Sequence, residues 1–153
     1  MKNLVVNWTK FCTLSWQERR TLLVAMAWLP LFWFGLRILG LRHSQDWLHG
    51  DNVAGESKLS HDDIVRVARL VNIAARHVPF PSTCLTRSLL LIWMLRRRGV
   101  ATELRIGVRL TPGALDAHAW VEHAGMPIND RPDIGGQFAP FAETLTPSSF
   151  QSP

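Results

Sequence analysis

The sequence predicts an α+β fold in which helices come first along the chain and strands follow. Apolar residues recur at helical spacing from Ile64 to Val78, and again after Cys84. From Glu103 to Leu110 apolar and polar residues alternate instead, as in a strand with one buried face. A chain of 153 residues, 47% of them hydrophobic, is large enough to bury one sizeable core.

The N-terminal part is strongly apolar. Residues 15–18 fit a capping box, so a helix is predicted to begin at Trp16. The uncharged run 21–36 has apolar residues on all sides and contains Pro30, which predicts a pair of helices buried in the core or covered by a partner. A helix that spans a membrane needs about 20 apolar residues, and this run is shorter. Contact with a membrane and a true span are therefore alternatives to the predicted helix pair.

Two parts of the chain are predicted from this pattern. Residues 1–58 form an N-terminal apolar helical segment that ends in a polar, glycine-containing connector at 42–58. Residues 59–153 form the core that carries the chemistry. Within that core, residues 60–63 carry the cap signal of one helix, and a second helix is predicted from about Cys84 to Arg98, capped by Ser82 or Thr83.

Strand-like segments occupy the region after the second helix of the core. Residues 103–110, 116–122 and 126–130 are separated by turns at 111–113 and 123–125. The tail, from residue 131 onward, is loop-like and offers three phenylalanines as covers for the core, namely Phe138, Phe141 and Phe150.

Charge and cysteine content narrow the classes of function. The net charge of +5 and the pI near 10.2 favour acidic partners, such as an acidic peptide, nucleic acid or an anionic membrane face. The two cysteines, Cys12 and Cys84, form no Cys-x-x-Cys pair, so a reducing compartment is predicted. The six histidines lack the spacing of a zinc site, and we predict neither a metal nor a cofactor. No convincing export signal is present, which predicts a cytoplasmic protein with membrane association as an alternative.

Cys84 is the first candidate for chemistry because it lies at the predicted start of a helix. Unpaired backbone N–H groups and the positive end of the helix dipole stabilise a thiolate there, and the thiolate is the nucleophilic form of cysteine. The alternative is that Cys84 is a small core residue, which is a common role for cysteine.

A hairpin is predicted to bring a base and an acid together. If the last two strands pair around a three-residue loop at 123–125, Glu122 faces Met126 and His118 faces Asp130. The carboxylate could then orient the imidazole and stabilise its charged form. We therefore predict Cys84 as nucleophile, His118 as base and Asp130 as orienting acid. The alternatives are a structural histidine and an aspartate that merely begins a turn.

The order of helix-start cysteine, strand histidine and next-strand aspartate resembles the transglutaminase-like branch of the papain superfamily. More closely, four runs within residues 16–130 are similar to the lasso-peptide leader peptidases, the B-proteins of lasso-peptide biosynthesis: PSTCLTRSLLLIWMLRRRGV, ELRIGV, DAHAWVE and GMPIND. The resemblance implies a helix packed on an antiparallel sheet, and cleavage of a ribosomal precursor between leader and core. The papain-type glutamine upstream of the nucleophile is missing, so only the Cys84 backbone N–H can be named as an oxyanion donor.

The resemblance also implies partners. A cyclase would join the freed core amine to a side-chain carboxylate, and a PqqD-like domain would bind the leader. The chain offers no room for that domain, so a split arrangement with a separate recognition protein is expected. Residues 21–41 would then be its docking surface, with peripheral membrane contact as the competing use. The alternative functions are a transglutaminase-like acyltransferase with the same triad, a non-catalytic scaffold that binds a peptide or membrane, and nucleic-acid binding from charge alone.

Overall fold

The computed structural model describes residues 14–49, 59–79 and 81–140, with residues 39–49 and 140 described by their backbone alone. Three long helices come first and a small sheet follows, which confirms the predicted α+β class. The elements are, in chain order, α1 (Trp16–His49), α2 (His61–His77), α3 (Cys84–Arg96), β1 (Glu103–Thr111), β2 (Ala114–His123), β3 (Met126–Pro127), α4 (Ile134–Gln137) and β4 (Ala139–Pro140).

The first helix is continuous, so the predicted pair of helices is wrong. Helix α1 runs through Pro30 and extends over 34 residues to His49, into the segment that was predicted to be a polar connector. An interior proline destabilises a helix by about 3 kcal/mol. Tertiary packing on both sides of it offsets that penalty, because Leu29 and Phe32 are both buried against the other helices. Residues 50–58 of the predicted connector lie outside the described residues.

One hydrophobic core joins all three long helices to the sheet. Helix α1 supplies one face to this core, α2 supplies another, and α3 is buried nearly all round. Strand β2 and the segment after β3 close it with Val121 and Ile128. The apolar N-terminal helix therefore shares a core with the residues beyond 59, although the division of the chain at 58 stays a prediction. By length and composition the stretch Trp16–Ile38 could also cross a membrane, a test that core helices of soluble proteins pass as well.

The helix starts follow local capping chemistry. Both predicted capping boxes are confirmed: the Ser15 hydroxyl accepts from the backbone N–H of Glu18, and the Ser60 hydroxyl accepts from that of Asp63. In each box the carboxylate in turn accepts a hydrogen bond from the backbone N–H of the serine. The start of α3 is capped by Thr83, whose hydroxyl accepts from the Thr86 N–H.

The sheet has four antiparallel strands in the order β3-β2-β1-β4. Strands β1 and β2 form a long hairpin in which Gly107 pairs with His118. The predicted strand at 103–110 and its partner at 116–122 are both present. The predicted third strand at 126–130 is only two residues long in the structure, Met126–Pro127. Beyond Pro127 the outer edge of β2 is left without a regular strand partner among the described residues.

The second hairpin has a different register from the predicted one. Its turn has two residues, Ala124 and Gly125, whose φ angles of 51° and 76° fit a type I′ turn. Consequently Glu122 pairs with Pro127 and not with Met126. A shift by one residue moves side chains to the opposite face of a sheet. Continued regularly, this register would set Asp130 opposite Ala119, away from the face that carries His118.

The face of the sheet opposite the long helices has a small core of its own, made by Trp120, Ile134 and Phe138. Residues 131–138 supply two of its members, and the predicted cover by Phe138 is confirmed because that side chain is buried. Phe141 and Phe150 lie outside the described residues. Gly107 is the floor of this small core, since a Cβ there would lie 2.8 Å from the Phe138 Cβ and 3.1 Å from the Trp120 ring.

A methyl group at Gly107 is expected to destabilise the protein. Gly107→Ala should lower the free energy of unfolding by about 1–3 kcal/mol, because Phe138 and Trp120 must move to admit the new Cβ. Thermal unfolding followed by circular dichroism measures this. The matched control is Gly135→Ala, where a Cβ meets no atom within 4 Å. Equal melting temperatures for the two variants would contradict the packing described.

Candidate active site

His118 lies on the face of β2 that carries the small aromatic core. Its ring centroid is 5.2 Å from that of Phe138 and 6.3 Å from that of Trp120, and it is stacked on both. The side chain of His118 retains 21% of its exposure. Two aromatic rings therefore restrict the imidazole while one part of it stays open to solvent or substrate.

Asp130 contacts this imidazole directly. Its Oδ2 lies 2.7 Å from the Nε2 atom of His118, and its Oδ1 accepts a hydrogen bond from the backbone N–H of Arg131. An ionised carboxylate can only accept hydrogen bonds, so the imidazole tautomer that fits this contact carries its proton on Nε2. The Nδ1 atom is thus left to exchange a proton with another group. The structure brings together these two predicted residues, although not through the predicted register.

Cys84 is the first residue of α3 and is half-buried. Its position directly after the Thr83 cap places it among the N–H groups that have no partner within a helix. A side chain at this position lies at the positive end of the helix dipole. Cys12, the other cysteine of the chain, lies outside the described residues.

A group of hydrogen bonds attaches α3 to the outer edge of β2. The buried hydroxyl of Ser88 donates to the carbonyl of Ala119 at 3.1 Å and accepts from the Nδ2 atom of Asn129, also at 3.1 Å. The Oδ1 atom of Asn129 accepts from the backbone N–H of Val121 at 2.8 Å. The Asn72 side chain of α2 donates to the Asn129 carbonyl at 2.8 Å. We call Ser88, Asn129 and Asn72 the polar clasp.

The polar clasp lies where β3 has ended. The carbonyl of Val121 accepts from the Ile128 N–H, so both backbone groups of Val121 face the outer edge of the sheet. Residues two apart on a strand direct their backbone groups to the same side, and the Ala119 carbonyl therefore faces this edge too. Helix α3 approaches the open edge of β2 at Ser88.

Each contact of the clasp adjoins one predicted site residue. Cys84 precedes Ser88 by one helical turn and shares its face of α3, Ala119 follows His118, and Asn129 precedes Asp130. Among the hydrogen bonds of residues 14–49, 59–79 and 81–140 there is none between the Cys84 thiol and the His118 ring. The roles of the three residues stay predictions, and the clasp is what places their three segments side by side.

Sequence reasoning missed the polar clasp, although two signals for it were present. Ser88 is a polar residue directly before the apolar run 89–95 and four residues after Cys84, and Asn129 is an amide directly after Ile128 in a strand-like segment. Two other residues of the DAHAWVE run make structural contacts. Trp120 is packed with only 1% of its surface exposed, and Glu122 bonds Arg105 of the neighbouring strand.

The structure also contains a cavity of about 560 Å³ that is remote from these residues. It lies between the starts of α1 and α2 and the end of α3, where Trp93 and Arg98 line it. Helix α3 rises about 1.5 Å per residue, so its last turn is roughly 20 Å from Cys84. The cavity is not part of the site that holds His118 and Asp130.

No group of three or more metal-ligating side chains is found within the described part of the chain.

Comparisons with known proteins place the chain in a family. A family model described as the transglutaminase-like superfamily matches residues 28–143, a span that includes Cys84, His118 and Asp130. One curated relative is the microcin J25-processing protein McjB of Escherichia coli, which is 41% identical over 64 residues. The aligned region is 42% of this chain and only 30% of that relative. No solved structure matches the chain.

Proposed function

The chain belongs to the transglutaminase-like superfamily, and from this premise we propose that it is a cysteine peptidase that removes the leader from a ribosomally made lasso-peptide precursor. The observation that carries the proposal is the 2.7 Å bond between His118 Nε2 and Asp130 Oδ2, on a strand whose edge is joined to the helix of Cys84. The partial similarity to a protein named for processing microcin J25 supports the choice of substrate.

In the proposed reaction, Nδ1 of His118 takes the proton of Cys84 and the thiolate attacks the carbonyl carbon at the end of the leader. The carbonyl oxygen becomes an oxyanion that the backbone N–H of Cys84 can bind. The protonated imidazole then gives its proton to the amine of the core peptide, which leaves. Water, deprotonated by His118, hydrolyses the thioester and restores the thiol. Asp130 holds the ring with Nδ1 free and stabilises its charged form.

The direct test is cleavage of a synthetic precursor by the purified chain, followed by mass spectrometry. Two products that sum to the precursor plus one water are expected, together with inactivation by iodoacetamide at Cys84. Addition of a primary amine separates this from the acyltransferase alternative. A leader product whose C-terminal carbonyl is joined to the added amine, in place of a free C-terminal carboxylate, would show that an amine is the natural acceptor.

Helix α1 presents a surface that suits a protein partner. Besides Trp16 at its first position, helix α1 has four large apolar residues that are more than half exposed: Leu23, Leu31, Phe34 and Ile38. At about 100° per residue they fall within an arc of roughly 80°. Buried residues such as Leu29 and Phe32 lie on the opposite face. We call these four residues the apolar stripe and propose that a separate PqqD-like leader-recognition protein docks there, which would raise the local concentration of the precursor.

Charges in the apolar stripe are expected to reduce partner-dependent cleavage. Leu31→Lys and Phe34→Glu should lower the rate in the presence of the recognition protein at least about tenfold, because each side chain loses apolar burial of about 1.5–3 kcal/mol. The basal rate without partner should change little. Rates with and without the recognition protein, measured by mass spectrometry, check this.

The matched control for the stripe is Leu115→Lys, an exposed apolar residue at the β1–β2 hairpin. Equal loss of basal and stimulated rates would contradict docking at the stripe. Binding of the protein to anionic vesicles that is lost in both stripe variants, with no effect of the partner on rate, would assign the stripe to a membrane surface instead.

We further propose that the protein works in the cytoplasm beside a lasso cyclase that consumes the freed core peptide. A free thiol nucleophile suits a reducing compartment. Fractionation of cells that express the whole operon is the measurement for location. Accumulation of linear core peptide when the cyclase gene is deleted is the expected result for the order of the two steps.

A further inference from the structure

We propose that Ser88 and Asn129 are positioning residues that hold the helix of Cys84 against the His118–Asp130 pair. The inference rests on the proposed function, because it concerns how the three residues are aligned for the transfer of a proton from the thiol. Neither side chain is assigned a part in the reaction itself.

The burial of Ser88 is the first step of the argument. Ser88 is 0% exposed, and so are the three residues that follow it, Leu89, Leu90 and Leu91. A buried hydroxyl in such surroundings is unfavourable unless it is fully hydrogen-bonded. Ser88 meets that condition with one donated and one accepted bond. Alanine differs from serine only by the hydroxyl oxygen, so the packing of this position does not require a serine. The hydroxyl is needed for its two directed hydrogen bonds.

The hydrogen bonds of Asn129 are the second part of the argument. Its Oδ1 atom accepts from the backbone N–H of Val121, its Nδ2 atom donates to the Ser88 hydroxyl, and its backbone carbonyl accepts from the Nδ2 atom of Asn72. These three bonds tie one residue to β2, α3 and α2. Asn129 thus fixes the backbone position at which Asp130 leaves the sheet.

The short length of β3 gives these bonds their importance. Because β3 ends at Pro127, the regular ladder does not hold residues 128–130 against β2. The hydrogen bonds of Asn129 take the place of that ladder. Cys84 lies one turn before Ser88 on the same rigid helix, about 6 Å along its axis. A shift of α3 along the β2 edge would therefore move the thiol relative to Nδ1 of His118 by a similar distance.

The test uses Ser88→Ala, Asn129→Ala and the double variant in the full chain with synthetic precursor. Each single variant is expected to lower kcat about 10- to 100-fold with little change in KM, since a misplacement of about 1 Å at the reacting atoms has an effect of this size. The double variant should lose no more than the worse single variant, because the two side chains act as one unit.

Alkylation of Cys84 by iodoacetamide at a fixed neutral pH is the second readout, with the modified residue identified by mass spectrometry. Both single variants should react several-fold more slowly than the wild type, as His118→Ala should. Ile92→Val is the control for stability alone, because it removes one methyl group from a buried position on the same helix. That variant should show a lower melting temperature with unchanged kcat and alkylation rate.

The outcomes separate the two proposals. Ser88→Ala and Asn129→Ala could behave like Ile92→Val, with a lower melting temperature but the wild-type kcat and alkylation rate. That result would overturn the positioning role and leave the proposed peptidase intact. Equal alkylation rates in the wild type and His118→Ala would overturn the triad, and the positioning role with it. Should Asn129→Ala fail to fold, Ser88→Ala decides the question, because it removes a single oxygen atom.

Discussion

Replacement of Cys84 with alanine is expected to abolish cleavage of the precursor while leaving the fold intact. The loss in kcat should be on the order of 10⁴- to 10⁶-fold, the range seen when a member of a nucleophile–base pair is removed. No other group on α3 near its start can take over the attack, since the neighbouring hydroxyls of Thr83 and Thr86 bond to each other. Product formation measured by mass spectrometry over long incubation checks the rate.

The controls for this variant are chosen from the chain itself. Cys12→Ala should cleave at the wild-type rate, because only Cys84 lies at the start of α3. The far-ultraviolet circular dichroism spectrum and melting temperature of Cys84→Ala should match those of the wild type within about 1 kcal/mol of unfolding free energy, as expected when a partly exposed side chain becomes smaller. Wild-type cleavage by Cys84→Ala would remove the basis of the proposed peptidase.

Loss of the imidazole is expected to be as severe as loss of the thiol. His118→Ala should lower kcat by on the order of 10⁴- to 10⁶-fold, because the thiol and the imidazole act as a unit. Single-turnover cleavage and the rate of Cys84 alkylation should fall together in this variant. Alkylation of this variant at the wild-type rate would contradict the role of His118 as the base for the thiol, even if cleavage is lost.

Asp130→Asn should have a smaller effect than the two alanine variants. The amide oxygen of asparagine can still accept the bond from Nε2, so the ring keeps its orientation and loses only the neighbouring negative charge. Charge-assisted hydrogen bonds are about twice as strong as neutral ones, so a loss of roughly 10- to 30-fold in kcat is expected. Asp130→Ala, which also removes the orientation, should lose considerably more. A wild-type rate in Asp130→Ala would contradict the role that the 2.7 Å contact indicates.

The contact between His118 and Asp130 was predicted for a reason that proved wrong. The sequence at 123–125 was interpreted as a three-residue loop, which would set the two side chains directly opposite each other. The structure has a two-residue turn with positive φ at Ala124 and Gly125, and the register differs by one residue. Asp130 reaches His118 because the chain leaves the ladder after Pro127. Turn type could not be decided locally, since alanine with positive φ is uncommon and is tolerated here in its tertiary context.

The course of α1 is a second feature that local sequence patterns did not predict correctly. Pro30 predicts a break, and the composition of residues 21–36 does not indicate which side of the helix faces the core. Contacts with α2 and α3 carry the helix past the proline and select Leu22, Ala25, Leu29 and Phe32 as its buried face. The same contacts leave the apolar stripe exposed. Whether that stripe meets a protein or a membrane depends on molecules outside this chain.

By itself the sequence determined the order of helices and strands, the capped helix starts and which side chains are the candidates for chemistry. Those features follow from the period of apolar residues, from caps that span three residues and from side-chain chemistry, all of which are local. Only the tertiary structure decided the register of the second hairpin, the buried face of α1 and the clasp at the edge of β2. The bonds of the clasp join residues 31, 41 and 57 positions apart, and no local pattern specifies contacts over such separations.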